Sequence, residues 1–187
     1  MSASKLLIAC KIFYDELQSV LPSEADIKVV WIEAALHVNP NRLEGEIKAA
    51  LADAATNGAT TQLFLGVGCH PDIVKLSREF GAIISPVKNC LEAFLGAKTK
   101  ELEKDGTMIM TPGWIRAWPN MMAALGWNEV DVRINYGRYN RILVLDPGIN
   151  PLSDEEILEF FDLTQIPIEI EPLELDHFKS LLTAMIG

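Results

Sequence analysis

Each of the three cysteines in this 187-residue chain lies at or just after the end of a short apolar segment. Cys10 closes an apolar run, Cys69 follows the segment 63–68, and Cys90 follows the segment 83–87. If these segments are parallel strands, the three thiols lie along one edge of a sheet, where α/β proteins bind their ligands. Thiolate ligands favour zinc, copper(I) or iron–sulfur clusters over magnesium or calcium. The cysteine pattern therefore predicts a shared metal or cluster site.

The ligand set leaves two kinds of centre open. Three thiolates and one imidazole form a common tetrahedral zinc site, whereas three thiolates also hold an iron–sulfur cluster with one iron open to another ligand. We predict Cys10, Cys69 and Cys90 as metal ligands and His37, which follows the second predicted strand, as the fourth. The cysteines are not paired locally as CxxC, so no local metal-binding motif supports this prediction. The alternative is that the three thiols are buried and act as small hydrophobic side chains.

Four further residues at the predicted sheet edge are interpreted as contacts to a cofactor: Gly68, His70, Thr111 and Trp114. A glycine lets the backbone approach a ligand closely, and an imidazole beside a cysteine lowers the pKa of its thiol or binds the metal itself. An indole ring forms one wall for a flat ligand. The alternatives are a tight turn at Gly68, a solvent-facing His70 and a tryptophan in the core.

His37 and Asp146 are predicted as catalytic residues. An imidazole titrates close to neutral pH, so His37 suits the role of general acid or base. Asp146 stands at the end of an apolar strand, in Asp146-Pro147-Gly148, where it can bind a ligand group or orient a histidine. The competing interpretations are a loop histidine that bonds to the backbone and an aspartate that caps its own turn.

The elements that must position these residues alternate between strands and helices along the chain. Apolar, β-branched segments predict strands at 5–9, 27–32, 62–67, 82–85, 107–110, 142–145 and 166–170. Helical spacing predicts helices at 12–21, 39–56, 71–80, 91–102, 115–125, 153–163 and 175–186. Ser153 and Glu156 form a capping box for the sixth of these. The expected fold is one α/β domain over residues 1–187, a three-layer Rossmann-like sandwich with a mostly parallel sheet.

The composition and charge of the chain argue against nucleic acid and membranes as binding partners. The chain carries 16 Lys and Arg against 26 Asp and Glu, a formal net charge of −10, which opposes binding to nucleic acid or to an anionic membrane surface. No apolar run approaches the ~20 residues that span a bilayer, and residues 1–5 do not begin a secretory leader. Three cysteines, an odd number, favour reduced thiols in the cytoplasm over a disulfide scaffold. Phosphate-binding and nucleophile-elbow motifs are absent from the sequence.

Several short motifs together resemble an uncharacterised domain family of methanogens and anaerobic bacteria that is encoded beside corrinoid-dependent methyltransferases. The resemblance covers residues 5–150, and its most distinctive part is the Thr-Pro-Gly-Trp segment. It departs from the family pattern at Lys11, His70 and Asn89, where family members carry Gly, Gly and Asp. The matching segments are Ala9-Cys10, His37-Val38-Asn39-Pro40, Gly68-Cys69, Cys90 with Leu95-Gly96, Gly106-Thr107, Thr111-Pro112-Gly113-Trp114 and Leu145-Asp146-Pro147-Gly148.

The resemblance implies a metal-linked role in one-carbon metabolism, with Cys10, Cys69 and Cys90 as ligands. The first functional hypothesis is an enzyme or accessory factor in corrinoid-linked methyl transfer, which meets a corrinoid protein or a small-molecule partner. The second is a carrier or sensor of a metal or cofactor, which uses the same ligands without catalysis. The third is a scaffold whose cysteines are simply buried.

Overall fold

The computed structural model describes residues 5–22 and 26–187 and contains two parallel sheets. The N-terminal sheet has the strand order β2-β1-β3-β4, and the C-terminal sheet has the order β5-β6-β7. All of the described strand pairs are parallel, so the chain crosses over between successive strands. The strands are β1 (Lys5–Cys10), β2 (Ile27–Ile32), β3 (Thr60–Phe64), β4 (Ile83–Ile84), β5 (Thr107–Met110), β6 (Arg141–Asp146) and β7 (Ile168–Pro172).

Helices occupy most of the segments between the strands. Short 3₁₀ helices at Lys11–Phe13 and Ala34–Val38 follow β1 and β2, and two more lie at Gly96–Lys98 and Lys104–Gly106. The α-helices are α1 (Tyr14–Val20), α2 (Pro40–Thr56), α3 (Ile73–Glu79), α4 (Cys90–Leu95), α5 (Thr99–Leu102), α6 (Pro112–Leu125), α7 (Glu129–Tyr136), α8 (Asp154–Thr164) and α9 (Asp176–Ile186).

Capping chemistry fixes where several helices begin. The Ser153 hydroxyl accepts the backbone N–H of Glu156, whose carboxylate in turn accepts the N–H of Ser153, so the predicted capping box is confirmed. The Asn39 side chain accepts the N–H of Arg42, and Pro40 occupies the first helical turn of α2. These local interactions are encoded within a few residues, and they confirm the predicted starts of α2 and α8.

The α/β, Rossmann-like class is confirmed, but the strands form two sheets where the strand pattern predicts one. The strand β4 has only two residues, and β5 pairs with β6 instead of extending the first sheet. Hydrophobic patterning marks strands without specifying which strand pairs with which, so it does not reveal this division. The helix α7 is also missing from the prediction, although Asn128 and Asp131 form a capping box at its start. The single domain over residues 1–187 stays a prediction.

Helix α9 joins the end of the chain to the N-terminal sheet. Its Phe178 is fully buried against Phe13, Phe64 and Phe94, with ring centroids 4.9–5.5 Å apart. At the end of α9, the side-chain amide of Gln62 in β3 donates to the carbonyl of Met185. Helix α9 therefore follows β7 of the C-terminal sheet in the chain, but it packs into the hydrophobic core of the N-terminal sheet.

Within the described residues, no helix is long and apolar enough to cross a membrane. Residues 1–4, which belong to the N-terminal segment considered as a leader, lie outside the described part of the chain.

We expect Phe178→Ala to lower the free energy of unfolding by about 3–5 kcal/mol, because it leaves a cavity at the centre of the aromatic cluster. Urea unfolding followed by circular dichroism measures the change. Phe161→Ala is the matched control, because this ring is 38% exposed on α8, and we expect a loss below about 1 kcal/mol. Equal losses in the two variants would show that α9 does not anchor the core in this way.

Candidate functional site

The four predicted ligands lie at or after the ends of the four strands of the N-terminal sheet, one for each strand. Cys10 is the last residue of β1, and His37 lies in the 3₁₀ helix after β2. Cys69 lies in the loop after β3, and Cys90 is the first residue of α4, after β4. Because the strands are parallel, their carboxyl ends share one edge of the sheet. The topology therefore brings the four residues to the same edge.

Burial is the main influence on the pKa values of all three thiols. Burial raises the pKa of Cys10 far above its usual range, and charge on Cys90 and Cys69 would raise it further. Burial likewise raises the pKa of Cys90 to about 11, and charge on Cys69 adds to this shift. The pKa of Cys69 is also raised, again by burial. All three are free thiols, and the fold by itself favours their protonated form.

Close contact between two loops sets the positions of Cys69 and Cys90. The N–H of Val67 donates to the carbonyl of Val87 at 2.8 Å, and the N–H of Gly68 donates to the carbonyl of Lys88 at 2.9 Å. A Cβ atom on Gly66 would lie 2.3 Å from the Lys88 oxygen, so only glycine fits there. Gly68 also packs against the Lys88 oxygen. The close backbone approach that the sequence assigned to a ligand is therefore made to the protein's own backbone, and the cofactor contact of Gly68 stays a prediction.

Trp114 connects the C-terminal half of the chain to the thiols. Its indole N–H donates to the Cys90 sulfur with an Nε1–Sγ distance of 3.1 Å. The preceding Gly113 lies against the first half, where an added Cβ would be 2.6 Å from the carbonyl oxygen of Ile12. The ring packs against both hydrophobic clusters of the protein. Trp114 therefore contacts Cys90, a predicted metal ligand, whereas the sequence suggested that its ring forms one wall of a cofactor site.

His37 is held with one ring nitrogen available. Its Nδ1 lies 2.8 Å from the carbonyl oxygen of Ala34, and since a carbonyl only accepts, Nδ1 carries the hydrogen. In the neutral ring, the lone pair is then on Nε2. Histidines that bind metals commonly donate their second nitrogen to a carbonyl in this way. The His37 ring centroid lies 6.3 Å from that of Trp114, on the side of the fold that holds the thiols.

His70 is oriented toward other groups of the protein. The side chain is 4% exposed, so it does not face solvent. Its Nδ1 accepts the backbone N–H of Asp72 at 3.2 Å, and its Nε2 lies 3.9 Å from a carboxylate oxygen of Glu44. His70 does not contribute to the shifted pKa of Cys69, despite their adjacency in sequence. The cofactor contact assigned to His70 stays a prediction.

Thr111 and Asp146 end neighbouring strands of the C-terminal sheet. Thr111 is fully buried at the start of α6, and its hydroxyl has no hydrogen-bond partner in the described part of the protein. Asp146 accepts the N–H of Gly148 at 2.7 Å through Oδ1, which is the turn-capping role that the sequence left open. The cofactor contact of Thr111 and the catalytic role of Asp146 stay predictions.

Sequence reasoning missed Glu16, a buried carboxyl group on α1. It is 3% exposed, and burial raises its pKa to about 7, with smaller contributions from the charges of Asp15 and Asp146. The guanidinium of Arg116 acts in the opposite direction. A signal was present in the sequence, because in the predicted helix 12–21 Glu16 lies four residues after Ile12 and so falls on the same face.

A cavity of about 350 Å³ opens at Lys11, the residue after Cys10, where segments from both halves meet. Ion pairs cross its walls, from Lys11 to Glu33 at 2.6 Å and from Arg116 to Asp15 at 3.7 Å. Its polar walls suit a small polar molecule. The residues that line it include Tyr14, Ala34, Gly113, Ala117, Asn120 and Asn150.

Among residues 5–22 and 26–187, no group of three or more His, Cys, Asp or Glu side chains is arranged to hold a metal ion. The thiols share one edge of the sheet, yet their side chains are not preformed as a ligand set.

Taken together, the chain is an α/β protein with two parallel sheets and three free thiols at the carboxyl edge of one of them. It belongs to the DUF1638 family, described as proteins of unknown function, whose family model matches residues 31–182. The matched segment includes His37, Cys69 and Cys90, and Cys10 precedes it. No curated protein and no solved structure shows significant similarity to the chain.

We expect Gly66→Ala to separate the two loops, because its methyl group cannot fit 2.3 Å from the Lys88 oxygen. The free energy of unfolding should fall by about 2 kcal/mol, and Cys69 and Cys90 should react faster with a thiol reagent. Gly45→Ala is the matched control, because it lies in α2 with no atom within 4 Å of the added Cβ and should gain about 1 kcal/mol. Unchanged thiol rates in Gly66→Ala would contradict the assigned contact.

We expect Glu16→Gln to remove a pH dependence of stability. The folded protein holds the Glu16 proton with a pKa of about 7, above the ordinary value of 4.5, so this stabilisation is present at low pH and is lost as the pH rises through 7. Relative to the variant, the wild type should lose about 3 kcal/mol between pH 4.5 and pH 8. Urea unfolding at several pH values measures this loss. The exposed Glu159→Gln should follow the wild type, and parallel pH profiles for wild type and Glu16→Gln would refute the assignment.

Proposed function

We propose that this protein binds a metal through Cys10, Cys69 and Cys90, as a zinc ion or an iron–sulfur cluster, with His37 as the fourth ligand. One observation carries the proposal: the three cysteines lie at or after the carboxyl ends of β1, β3 and β4, which are neighbours in one parallel sheet. Three thiols and an imidazole are the donors that zinc and iron–sulfur clusters prefer.

The electrostatics of the site support a bound cation. Burial holds the thiols protonated, and the groups that oppose this effect are backbone N–H groups and the Trp114 indole rather than Lys or Arg side chains. A bound metal supplies the missing positive charge, and thiols that coordinate it lose their protons. The Nε2 lone pair of His37 is already available for coordination.

Metal binding would require the side chains of the candidate ligands to rotate, because they are not arranged around one metal position in the structure. The candidate ligands come from four separate segments, one at or after the end of each strand, so a shared ion would cross-link the carboxyl edge of the N-terminal sheet. A ligand that binds only the folded chain stabilises it by mass action, and we therefore expect loading to raise the melting temperature.

We further propose that the bound site takes part in corrinoid-linked methyl transfer or related one-carbon chemistry. A metal-held thiolate would accept a methyl group from a corrinoid donor, with His37 and Asp146 as candidate proton carriers. Gly68, His70, Thr111 and Trp114 are the candidate contacts to a cofactor. The support is the cavity lined in part by Lys11, the residue after Cys10, which leaves room for a small substrate, and the motifs that resemble a methyltransferase-associated family.

The alternative is a carrier or sensor without catalysis. The buried position of Cys10 favours it, because a closed site with four protein ligands leaves no position for a substrate. For either role we propose a cytoplasmic protein, since reduced thiols suit that compartment. Its net charge of −10 supports a small molecule or another protein as partner rather than nucleic acid.

We expect the anaerobically purified protein to hold one zinc ion, or one iron–sulfur cluster with visible absorption, per chain. Elemental analysis and an absorption spectrum distinguish the two centres. Replacing any one of the three cysteines by serine should lower metal uptake, and His37→Ala should weaken affinity by about 10–100-fold. His177→Ala is the matched control, because His177 is exposed on α9 and should leave uptake unchanged.

The proposal fails if the wild type takes up neither zinc nor iron with sulfide under reducing conditions. It also fails if the cysteine variants bind metal as the wild type does.

A further inference from the structure

The cavity at Lys11, between the two halves of the chain, is lined by charges of both signs. Its wall includes two basic residues, Lys11 and Arg116, and two acidic residues, Asp15 and Glu33. The wall is therefore balanced in formal charge, although the whole chain carries −10. A ligand with charge of one sign only would meet like charges here, so the balance favours a small ligand that carries both signs.

Lys11 and Glu33 are the charged side chains that have bonding capacity left. The Lys11 Nζ lies 2.6 Å from the Glu33 Oε1, and the two side chains are 50% and 54% exposed. A lysine ammonium has three donors, and an ionised carboxylate accepts at both oxygens. In the described part of the chain, this contact is the hydrogen bond that the two side chains form. Two N–H groups of Lys11 and the Oε2 atom of Glu33 are therefore available side by side.

Arg116 is already committed to the protein. Its Nε donates to Glu156 at 2.7 Å, its Nη1 donates to the Asn150 carbonyl at 2.9 Å, and its Nη2 donates to the Pro151 carbonyl at 3.1 Å. Asp15 is engaged as well, since it accepts the side-chain amide of Asn150 at 3.0 Å. These two residues contribute charge to the wall, whereas direct contact with a ligand falls to Lys11 and Glu33.

We propose that this cavity binds an α-amino acid with an apolar side chain. The carboxylate of the ligand accepts from the Lys11 ammonium, and the ammonium of the ligand donates to Oε2 of Glu33. In an α-amino acid both charged groups are attached to one carbon, so they lie side by side as Lys11 and Glu33 do. The ligand then forms a second ion pair antiparallel to the first, through charge-assisted hydrogen bonds. This inference goes beyond the proposed function, because it needs neither a metal nor a thiol.

A second cavity of about 440 Å³ adjoins the first and is assigned to the side chain of the ligand. The two cavities share Glu33 and Asn120 in their walls. A side chain that leaves the α-carbon beside Glu33 enters the second cavity, where burial of its apolar surface favours binding. The other charged residues there, Arg42 and Glu46, are exposed and stay hydrated. The apolar part of this wall is formed by Trp31, Ile32, Ala35, Leu36 and Ala124.

Helix α6 leaves room for the ligand opposite Lys11 and Glu33. Gly113, Ala117 and Ala124 line the cavities from this helix and have no side-chain atoms beyond Cβ. The exposed amide of Asn120 belongs to both walls and is assigned as a further donor to the ligand carboxylate. The site is therefore formed by both halves of the chain, with the charges that bind the ligand on one side and small residues on the other.

The test is isothermal titration calorimetry of the full-length, reduced and metal-free protein with L-leucine. Two probes of the same size each lack one charged group: isocaproate lacks the ammonium, and isoamylamine lacks the carboxylate. We expect L-leucine to bind, and each of the other probes to bind about 10–100-fold more weakly, because each loses one charge-assisted hydrogen bond.

Two variants test the assigned contacts. Lys11→Met and Glu33→Gln should each weaken L-leucine binding by about tenfold or more. Both should stay folded by circular dichroism, because an exposed ion pair contributes little to stability. Lys48→Met is the matched control, because Lys48 forms a similar exposed pair with Glu44 at 2.5 Å but lines neither cavity. It should bind L-leucine as the wild type does.

A third variant tests where the side chain of the ligand lies. Ala124→Leu fills part of the second cavity, so it should weaken binding of L-leucine more than binding of L-alanine. Ala123→Leu is its control, because Ala123 is exposed on the same helix and lines neither cavity.

The proposal is overturned if L-leucine does not bind, if the three probes bind equally, or if Lys11→Met binds L-leucine as tightly as the wild type. Equal losses for L-leucine and L-alanine in Ala124→Leu overturn the assignment of the second cavity. Since every titration uses metal-free protein, a failure here leaves the proposed metal site standing, and a failure of metal uptake leaves this site standing.

Discussion

Contact of backbone against backbone at the carboxyl edge of the N-terminal sheet is the constraint on which the arrangement of this protein depends. Gly66 and Gly113 each lie so close to a carbonyl oxygen of another loop that no side chain fits. The first contact joins the loops that carry Cys69 and Cys90, and the second joins the start of α6 to the turn after Cys10. Together they hold thiols that are far apart in the chain at one edge of the sheet and place the indole of Trp114 against one of them.

The buried positions of the three thiols and of Glu16 have an electrostatic cost, because burial disfavours the charged form of each group. Burial keeps the three thiols protonated, and burial also raises the pKa of Glu16 to about 7. Groups with shifted pKa values cluster at functional sites more often than elsewhere, because activity needs them where folding alone does not favour them. Their chain neighbours Lys11 and Asp15 line a cavity at the junction of the two halves.

Two helices from the second half of the chain, α6 and α9, pack against the first half and so join the two sheets. Helix α9 follows the C-terminal sheet but buries Phe178 against Phe13 and Phe64 of the first half. Helix α6 starts beside Ile12 and presents Trp114 to Cys90, and Arg116 on the same helix pairs with Asp15. The surroundings of Cys90 therefore include residues from both halves of the chain, and a change in how the halves meet would alter them.

The sequence by itself determined the local features: the alternation of strands and helices, the capping box at Ser153, and the position of each cysteine after a strand. These follow from hydrophobic periodicity and from hydrogen bonds between near neighbours, which a few residues encode. Only the tertiary structure decided that there are two sheets, that His70 bonds to Asp72 and lies near Glu44, and that Trp114 donates to Cys90. The physical reason is that strand pairing and the partners of polar side chains depend on residues distant in the chain, whose approach no local pattern specifies.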